Sequence, residues 1–136
     1  NKIASLRKCA EPKFTFTNYD CYLLADHYSI KTDRIDLKYL TLYLNSNVIK
    51  FWLKKKGKMQ GNNYQIDAEP LLKIPIYYPK NIKDYLLIFD EIKKDYDDPD
   101  KILTLEKKVN NLFFKLFSFS KNEIGYIEKS LLDDFV

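Results

Sequence analysis

The stretch LKYLTLYLNSNVIKFWLKKKG, residues 37–57, is where the hydrophobic period of the chain changes. Before it, KFTFT at residues 13–17 alternates polar and aromatic side chains, the pattern of a half-buried strand. Within it, Leu37, Leu40 and Leu44 recur at helical spacing, with Tyr39 and Tyr43 filling in. Asn45-Ser46-Asn47 then ends one helix and caps another. The second helix carries Val48, Ile49, Trp52 and Leu53 and stops at Gly57, a residue suited to the left-handed position that closes many helices.

Outward from this stretch the two sides differ. Upstream, the opening NKIASLRKC has extended character and no initiator Met, so the chain reads as a piece of something longer. Residues 20–31 continue in strand style, with CYLLAD and HYSIK as two short β-runs, and residues 32–36 form a polar break. Downstream, residues 61–67 return to extended character around Tyr64 and Ile66, and Leu71-Leu72 sits in a short turn or helix after Pro70. Pro75 and Pro79 forbid a long helix in IPIYYP.

The tail is helical. Asn81 caps a helix with the stripe Ile82, Tyr85, Leu86, Phe89, Ile92 and Tyr96. DYDDPD breaks it, and Pro99 opens the next helix, whose apolar face is Ile102, Leu105, Val109, Leu112, Phe113 and Leu116. Ser120-Lys121-Asn122-Glu123 is a capping-box pattern for a last helix bearing Ile124, Ile127 and Leu131. The expected architecture is α/β of the α+β kind. A small mixed sheet with packed helices fills residues 1–80, and a helical hairpin with one extra helix fills residues 81–136.

With 136 residues, 46% of them hydrophobic and 31% charged, the chain suits one globular domain with a modest core. No apolar run is long enough to cross a bilayer and the first residues lack a signal-peptide core, so no membrane role and a cytoplasmic location are expected. The net charge of +4 is unevenly spread: residues 1–80 carry fourteen Lys/Arg against seven Asp/Glu (+7), and residues 81–136 nine against twelve (−3). A basic front and an acidic helical tail suggest anion contact in one part and a different task in the other.

Catalytic signatures are weak. Cys9, Cys21 and His27 do not supply the four closely paired ligands of a structural zinc site. His27 stands beside Asp26 and Tyr28 without the nucleophile and orienting partner that general-base catalysis requires. Asp100 and Glu106 match a nuclease-like Pro-Asp…Glu-x-Lys spacing, but both fall on one helical stretch and point in different directions. The sequence has no phosphate-binding glycine loop, no nucleophile elbow and no Asn/Asp-Pro-Pro-aromatic tetrapeptide.

The lysines at the end of the decisive stretch carry more. Lys50, Lys54, Lys55, Lys56 and Lys58 fall within nine residues. Cations complement a helix C-terminus, but that accounts for one or two of them. The remainder repel one another, a cost that phosphate binding relieves. Lys54, Lys55, Lys56 and Lys58 are the expected phosphate contacts, Lys50 being set back by a turn or more. Gln60, Asn62 and Asn63 follow, side chains able to pair with an adenine edge, although Asn is also an ordinary turn residue.

The order of these pieces resembles a known family. LNS at a helix end, an aromatic-rich helix, the loop KGKMQG and then an extended segment leading to LLKIPI are similar to a TaqI-like C-terminal specificity domain. Such domains read targets for bacterial type II adenine-N6 DNA methyltransferases and fused restriction–methylation enzymes. PKFTFTNYDCYLL resembles the strand-rich entry of these domains, and LEKKVNNLFFKLFSFSKNEIGYIEKSL their helical ending. A more distant likeness is to one half of a type I specificity subunit. The resemblance implies sequence-specific recognition of double-stranded DNA without a catalytic centre in this segment. S-adenosylmethionine and the catalytic motif would belong to an upstream methyltransferase domain, and the acidic helices would dock against that domain or a second recognition unit. By position it carries over framework only: Leu44-Asn45-Ser46, Gly57, Gly61 and Ile74-Pro75-Ile76. Two rivals follow from the residues themselves, an RNA-binding module using the basic face and aromatics, and a helical protein-interaction domain.

Overall fold

The computed structural model describes residues 1–60 and 63–132. Its elements run β1 (Lys2–Leu6), β2 (Lys8–Cys9), β3 (Phe14–Thr17), β4 (His27–Ile30), α1 (Leu37–Leu44), α2 (Asn47–Lys56), β5 (Lys58–Gln60), β6 (Asn63–Gln65), α3 (Ala68–Leu72), α4 (Lys83–Lys94), α5 (Pro99–Leu116) and α6 (Lys121–Leu132). The expected α+β class is borne out. The strands divide into two three-stranded antiparallel sheets, ordered β3-β1-β4 and β2-β6-β5.

Helix α1 is central because six consecutive residues, Tyr39 to Leu44, are buried. A helix apolar on every side needs cover on every side. The first sheet supplies one side through Ile3 and Phe14, and α4 and α5 supply another through Tyr85, Phe89, Val109 and Phe113. Residues from both 1–80 and 81–136 therefore share one core. Its centre is aromatic: Tyr39 packs edge-on to Tyr85 at 5.1 Å, and Tyr43 edge-on to Phe113 at 5.3 Å.

Buried tyrosines need partners for their hydroxyls, and the proline-rich segment provides them. Tyr39 donates to the carbonyl of Tyr77 and Tyr43 to that of Pro75, both at 2.6 Å. Residues 74–79 form neither helix nor strand, in keeping with Pro75 and Pro79, and some of their carbonyls are satisfied by these side chains instead of by a helix. Burial pushes both phenols above their ordinary range.

The turn between α1 and α2 is fixed by side-chain amides and a hydroxyl. Asn45 Nδ2 donates to the carbonyls of Phe14 (2.7 Å) and Thr41 (2.9 Å), and Asn45 Oδ1 accepts from Phe14 N (3.0 Å). One carboxamide thus extends the strand ladder of β3 onto the end of α1. Ser46, 1% exposed, caps α2 by accepting from Ile49 N and donates to the Tyr43 carbonyl. Asn110 of α5 accepts from Asn47 N at 2.8 Å, so a third helix closes the start of α2.

Several boundaries depart from expectation. Residues 21–26 form no strand: they join neither edge of the β3-β1-β4 sheet, and Tyr22 and Leu24 project into solvent. Gly57 closes α2 with φ −80° and ψ 178°, ordinary extended backbone, because the chain passes directly into β5. Tyr96 lies beyond the end of α4 and is exposed. Asn81 acts one residue before the formal cap, Ile82, with its Oδ1 accepting from Lys83 N. The Ser120–Glu123 capping box is reciprocal as expected. The Ser120 amide and then its hydroxyl hold the Glu123 carboxyl below the ordinary carboxylate range.

The α5–α6 turn is a Schellman closure, with Phe119 N bonded to Phe114 O and Ser118 N to Lys115 O. It places Ser118 at φ 55°, the left-handed region that costs a side chain about 1 kcal/mol. Replacing Ser118 with Gly is expected to raise thermal stability by roughly that amount, read as an upward shift of the melting temperature by calorimetry. Asn45→Ala should cost roughly 2 kcal/mol in urea unfolding, since it strands both polar groups of Phe14. An unchanged midpoint would show that water replaces the clamp.

Candidate nucleic-acid interface

Five neighbouring lysines reach four different environments. Lys50, only half-exposed, pairs with Glu11 at 2.6 Å. Lys54 donates to the carbonyl of Ser130 at 2.6 Å and so ties α2 to the last turns of α6. Lys55 and Lys56 are exposed and lie over the rings of Phe51 and Trp52, each 5.6 Å from the centroid. Lys58 leaves the helix altogether and stands on β5, with 81% of its side chain exposed. Helical rotation between positions 50 and 56 and the change to a strand at 58 scatter what the sequence places together.

The second sheet gathers basic groups from distant parts of the chain. Its central strand β6 pairs Gln65 with Lys8 of β2 on one side and with Lys58 of β5 on the other. Residues opposite one another in a ladder share a face, so Lys8, Gln65 and Lys58 form one row. Cys9, next along β2, takes the opposite face and packs against the core, where burial raises its thiol pKa. The row therefore faces solvent, with Lys8 and Lys58 both exposed. Asp67 steadies it from below: it accepts from Gln65 Nε2 at 2.6 Å and lies 4.0 Å from Lys58 Nζ. That long, exposed pair is weak and leaves Lys58 open to another anion.

Arg7 joins the two sheets. Its amide donates to Asp26 O and its carbonyl accepts from Ile66 N, while its guanidinium lies 5.5 Å from the Tyr28 ring centroid. Arg7 Nε and His27 Nδ1 are buried with no acceptor or donor among the described residues. His27, the first residue of β4, pairs with Leu6 of β1 and serves as a strand residue.

Arg7 and Lys8 were not singled out by their sequence position. The available signal was the pair Arg7-Lys8 inside an extended run, but only the non-local pairing of β2 with β6 sets Lys8 beside Lys58. Among the expected base-reading residues, Asn62 lies outside the described residues, as do the side chains of Gln60 and Asn63. The backbone of β5 and β6 remains paired up to Gln60 opposite Asn63. No group of three or more His, Cys, Asp or Glu placed to hold a metal ion exists among the described residues. Asp100 and Glu106 are both exposed on α5, as expected of helix charges. No described helix is long and apolar enough to cross a membrane.

No protein-family model matches the chain. It is 29% identical over 75 residues to the type II methyltransferase M.HincII of Haemophilus influenzae. The same identity and length relate it to the type II methyltransferase M.HindII of Haemophilus influenzae strain Rd. Each match takes in 55% of this chain and 14% of the relative, so the chain spans a small part of the proteins it resembles.

The contact of Lys54 separates it from the other lysines. Lys54→Ala should accelerate amide exchange across the last turns of α6 by about fivefold, the equivalent of about 1 kcal/mol for one lost hydrogen bond. Unchanged exchange in α6, with weakened binding to DNA, would instead put this lysine on a phosphate.

Proposed function

We propose that this chain is the DNA-reading segment of a type II adenine methyltransferase, binding double-stranded DNA sequence-specifically and leaving catalysis to another domain. The observation that carries the reading is the solvent-facing row Lys8–Gln65–Lys58 at the base of a two-stranded ribbon, in a chain similar to type II methyltransferases. A two-stranded ribbon fits the major groove, where phosphates line both walls and base edges form the floor. Lys8 and Lys58 stand on the two strands flanking β6 and so suit phosphates on either side. Gln60 and Asn63, whose backbones pair at the far end of the ribbon, and Asn62, which lies outside the described residues, are the proposed readers of base edges, amides suited to bidentate pairing with adenine.

Lys55 and Lys56, expected from the sequence to meet phosphate, stand on α2 over Phe51 and Trp52 and are left out of the proposed DNA face. Lys54 is assigned to the fold. S-adenosylmethionine and the groups that transfer its methyl would be held by the methyltransferase domain, which would receive the target adenine once extruded from the duplex. Phosphate contacts of this kind position the protein and supply salt-dependent affinity, whereas the amides would supply choice of sequence.

The test is a salt series. Replacing both Lys8 and Lys58 with Gln should weaken binding to all duplexes about equally and reduce the log–log salt slope by about 2, one counterion step for each lost contact. An unchanged slope would remove the ribbon from the interface. A clear preference of the native chain for single-stranded RNA over duplex DNA in competition would overturn the reading as a whole.

A further inference from the structure

Helices α2 and α6 run side by side in the same direction, Phe51 meeting Tyr126 edge-on at 5.8 Å and Lys54 meeting Ser130 further along. They do not close on each other completely. Between them lies an open groove of about 750 Å³, walled by Val48, Phe51 and Trp52 on one side and Tyr126 on the other, with Phe117 and Phe119 at one end. The α2 wall falls at positions 48, 49, 51, 52, 55 and 56, a helical stripe that would ordinarily be covered by another helix. Its last two members are Lys55 and Lys56, which form the rim.

We propose that this groove binds an acidic amphipathic helix, an apolar stripe entering between α2 and α6 while its carboxylates meet Lys55 and Lys56. Three observations choose this occupant. First, the lining is aromatic and aliphatic apart from the two lysines, Asn122 and Glu123. A nucleobase or sugar would leave its polar edges unpaired there, whereas leucine or phenylalanine side chains spaced along one helix face would not. Second, neither Lys55 nor Lys56 has a carboxylate within 4.0 Å among the described residues, and their ammonium groups lie over the rings of Phe51 and Trp52, 5.6 Å from each centroid. The opposite rim carries Glu123, whose carboxylate is engaged with the amide and hydroxyl of Ser120. Third, a second copy offers nothing suitable. The exposed large apolar residues on its described helices are Leu72, Leu87, Leu103, Tyr126 and Leu132, and no two of them are three or four positions apart on one helix.

The inference does not rest on duplex binding. It assigns Lys55 and Lys56 to a protein partner, with the ribbon lysines left for phosphate. Trp52 is the only tryptophan and lines the groove, so its emission reports occupancy directly. The probe is a synthetic helical peptide of about four turns with leucines at i, i+3, i+4 and i+7 and glutamates flanking them. The control has the same leucines and lysines for glutamates.

Titration of the native chain should give a saturable shift of Trp52 emission with the acidic peptide and at least about tenfold weaker binding of the basic one. In the double variant Lys55→Glu, Lys56→Glu that preference should reverse, with an unchanged melting temperature showing that the fold is intact. Equal binding of the two peptides, or no saturable shift, would overturn the proposal. So would a concentration-dependent dimer that shifts Trp52 emission without peptide. If the double variant loses duplex binding and keeps its preference for the acidic peptide, the two lysines belong to the DNA interface and the proposal fails. If it loses the preference and keeps duplex binding, the proposal stands.

Discussion

The Asn45 carboxamide is the contact on which the arrangement of this fold depends. It sits where α1 stops, and it bonds both polar groups of Phe14, the first residue of β3, while also donating to the Thr41 carbonyl. A helix end normally exposes carbonyls to water. Here that end is buried against a sheet, and a side chain able both to donate and to accept resolves the conflict in one place. An aspartate there would accept from Phe14 N but set a charge against two carbonyls. A leucine would leave both polar groups of Phe14 without this partner, and the Thr41 carbonyl with only its bond from the backbone N–H of residue 45. The next residue, Ser46, is almost completely buried and starts α2 at once, so the angle between the two helices is set by consecutive polar side chains rather than by a flexible loop.

From that corner the remaining elements follow by cover. Tyr39 and Tyr43, buried on α1, cannot leave their hydroxyls without acceptors, and a chain segment barred from helix formation by two prolines offers free carbonyls. Each solves the other's difficulty. Phe113 of α5 then fills the space between the same two rings and Tyr85, so the helical tail is part of the core and not an appendage to it. The charge division between front and tail survives this packing because it concerns outward faces only.

Periodicity revealed the helices and the strand at Phe14 because both depend on local burial, which the pattern of side chains records. It marked α1, α2, α4, α5 and α6 and the two cap signals Ser46 and Ser120. It failed at residues 21–26, where alternation suggested a strand. A strand needs a partner, and whether a distant segment pairs with this one is not written in CYLLAD itself. It also gave Gly57 a left-handed turn that the direct passage into β5 makes unnecessary. The row of Lys8, Gln65 and Lys58 was hidden for the same reason as the false strand. Lys8 lies 50 residues before Lys58 and meets it and Gln65 only through ladder register.

The lysine cluster shows most clearly how sequence proximity and shared function diverge. Five cations in nine residues suggest one electrostatic surface, since in an extended chain they would repel and invite a polyanion. Folding relieves that repulsion by separate means: an ion pair for Lys50, a helix-terminal carbonyl for Lys54, ring faces for Lys55 and Lys56, and a different sheet for Lys58. Each solution fixes what its lysine is still able to do. A lysine bonded to a carbonyl of a neighbouring helix cannot meet a phosphate without loosening that helix. One lying on an aromatic wall presents its charge at the edge of an apolar groove, where a carboxylate attached to an apolar partner gains most. Only Lys58 gains a new cationic neighbour on a shared face, and two cations held a strand's width either side of Gln65 by backbone pairing suit the spaced charges of a nucleic-acid backbone.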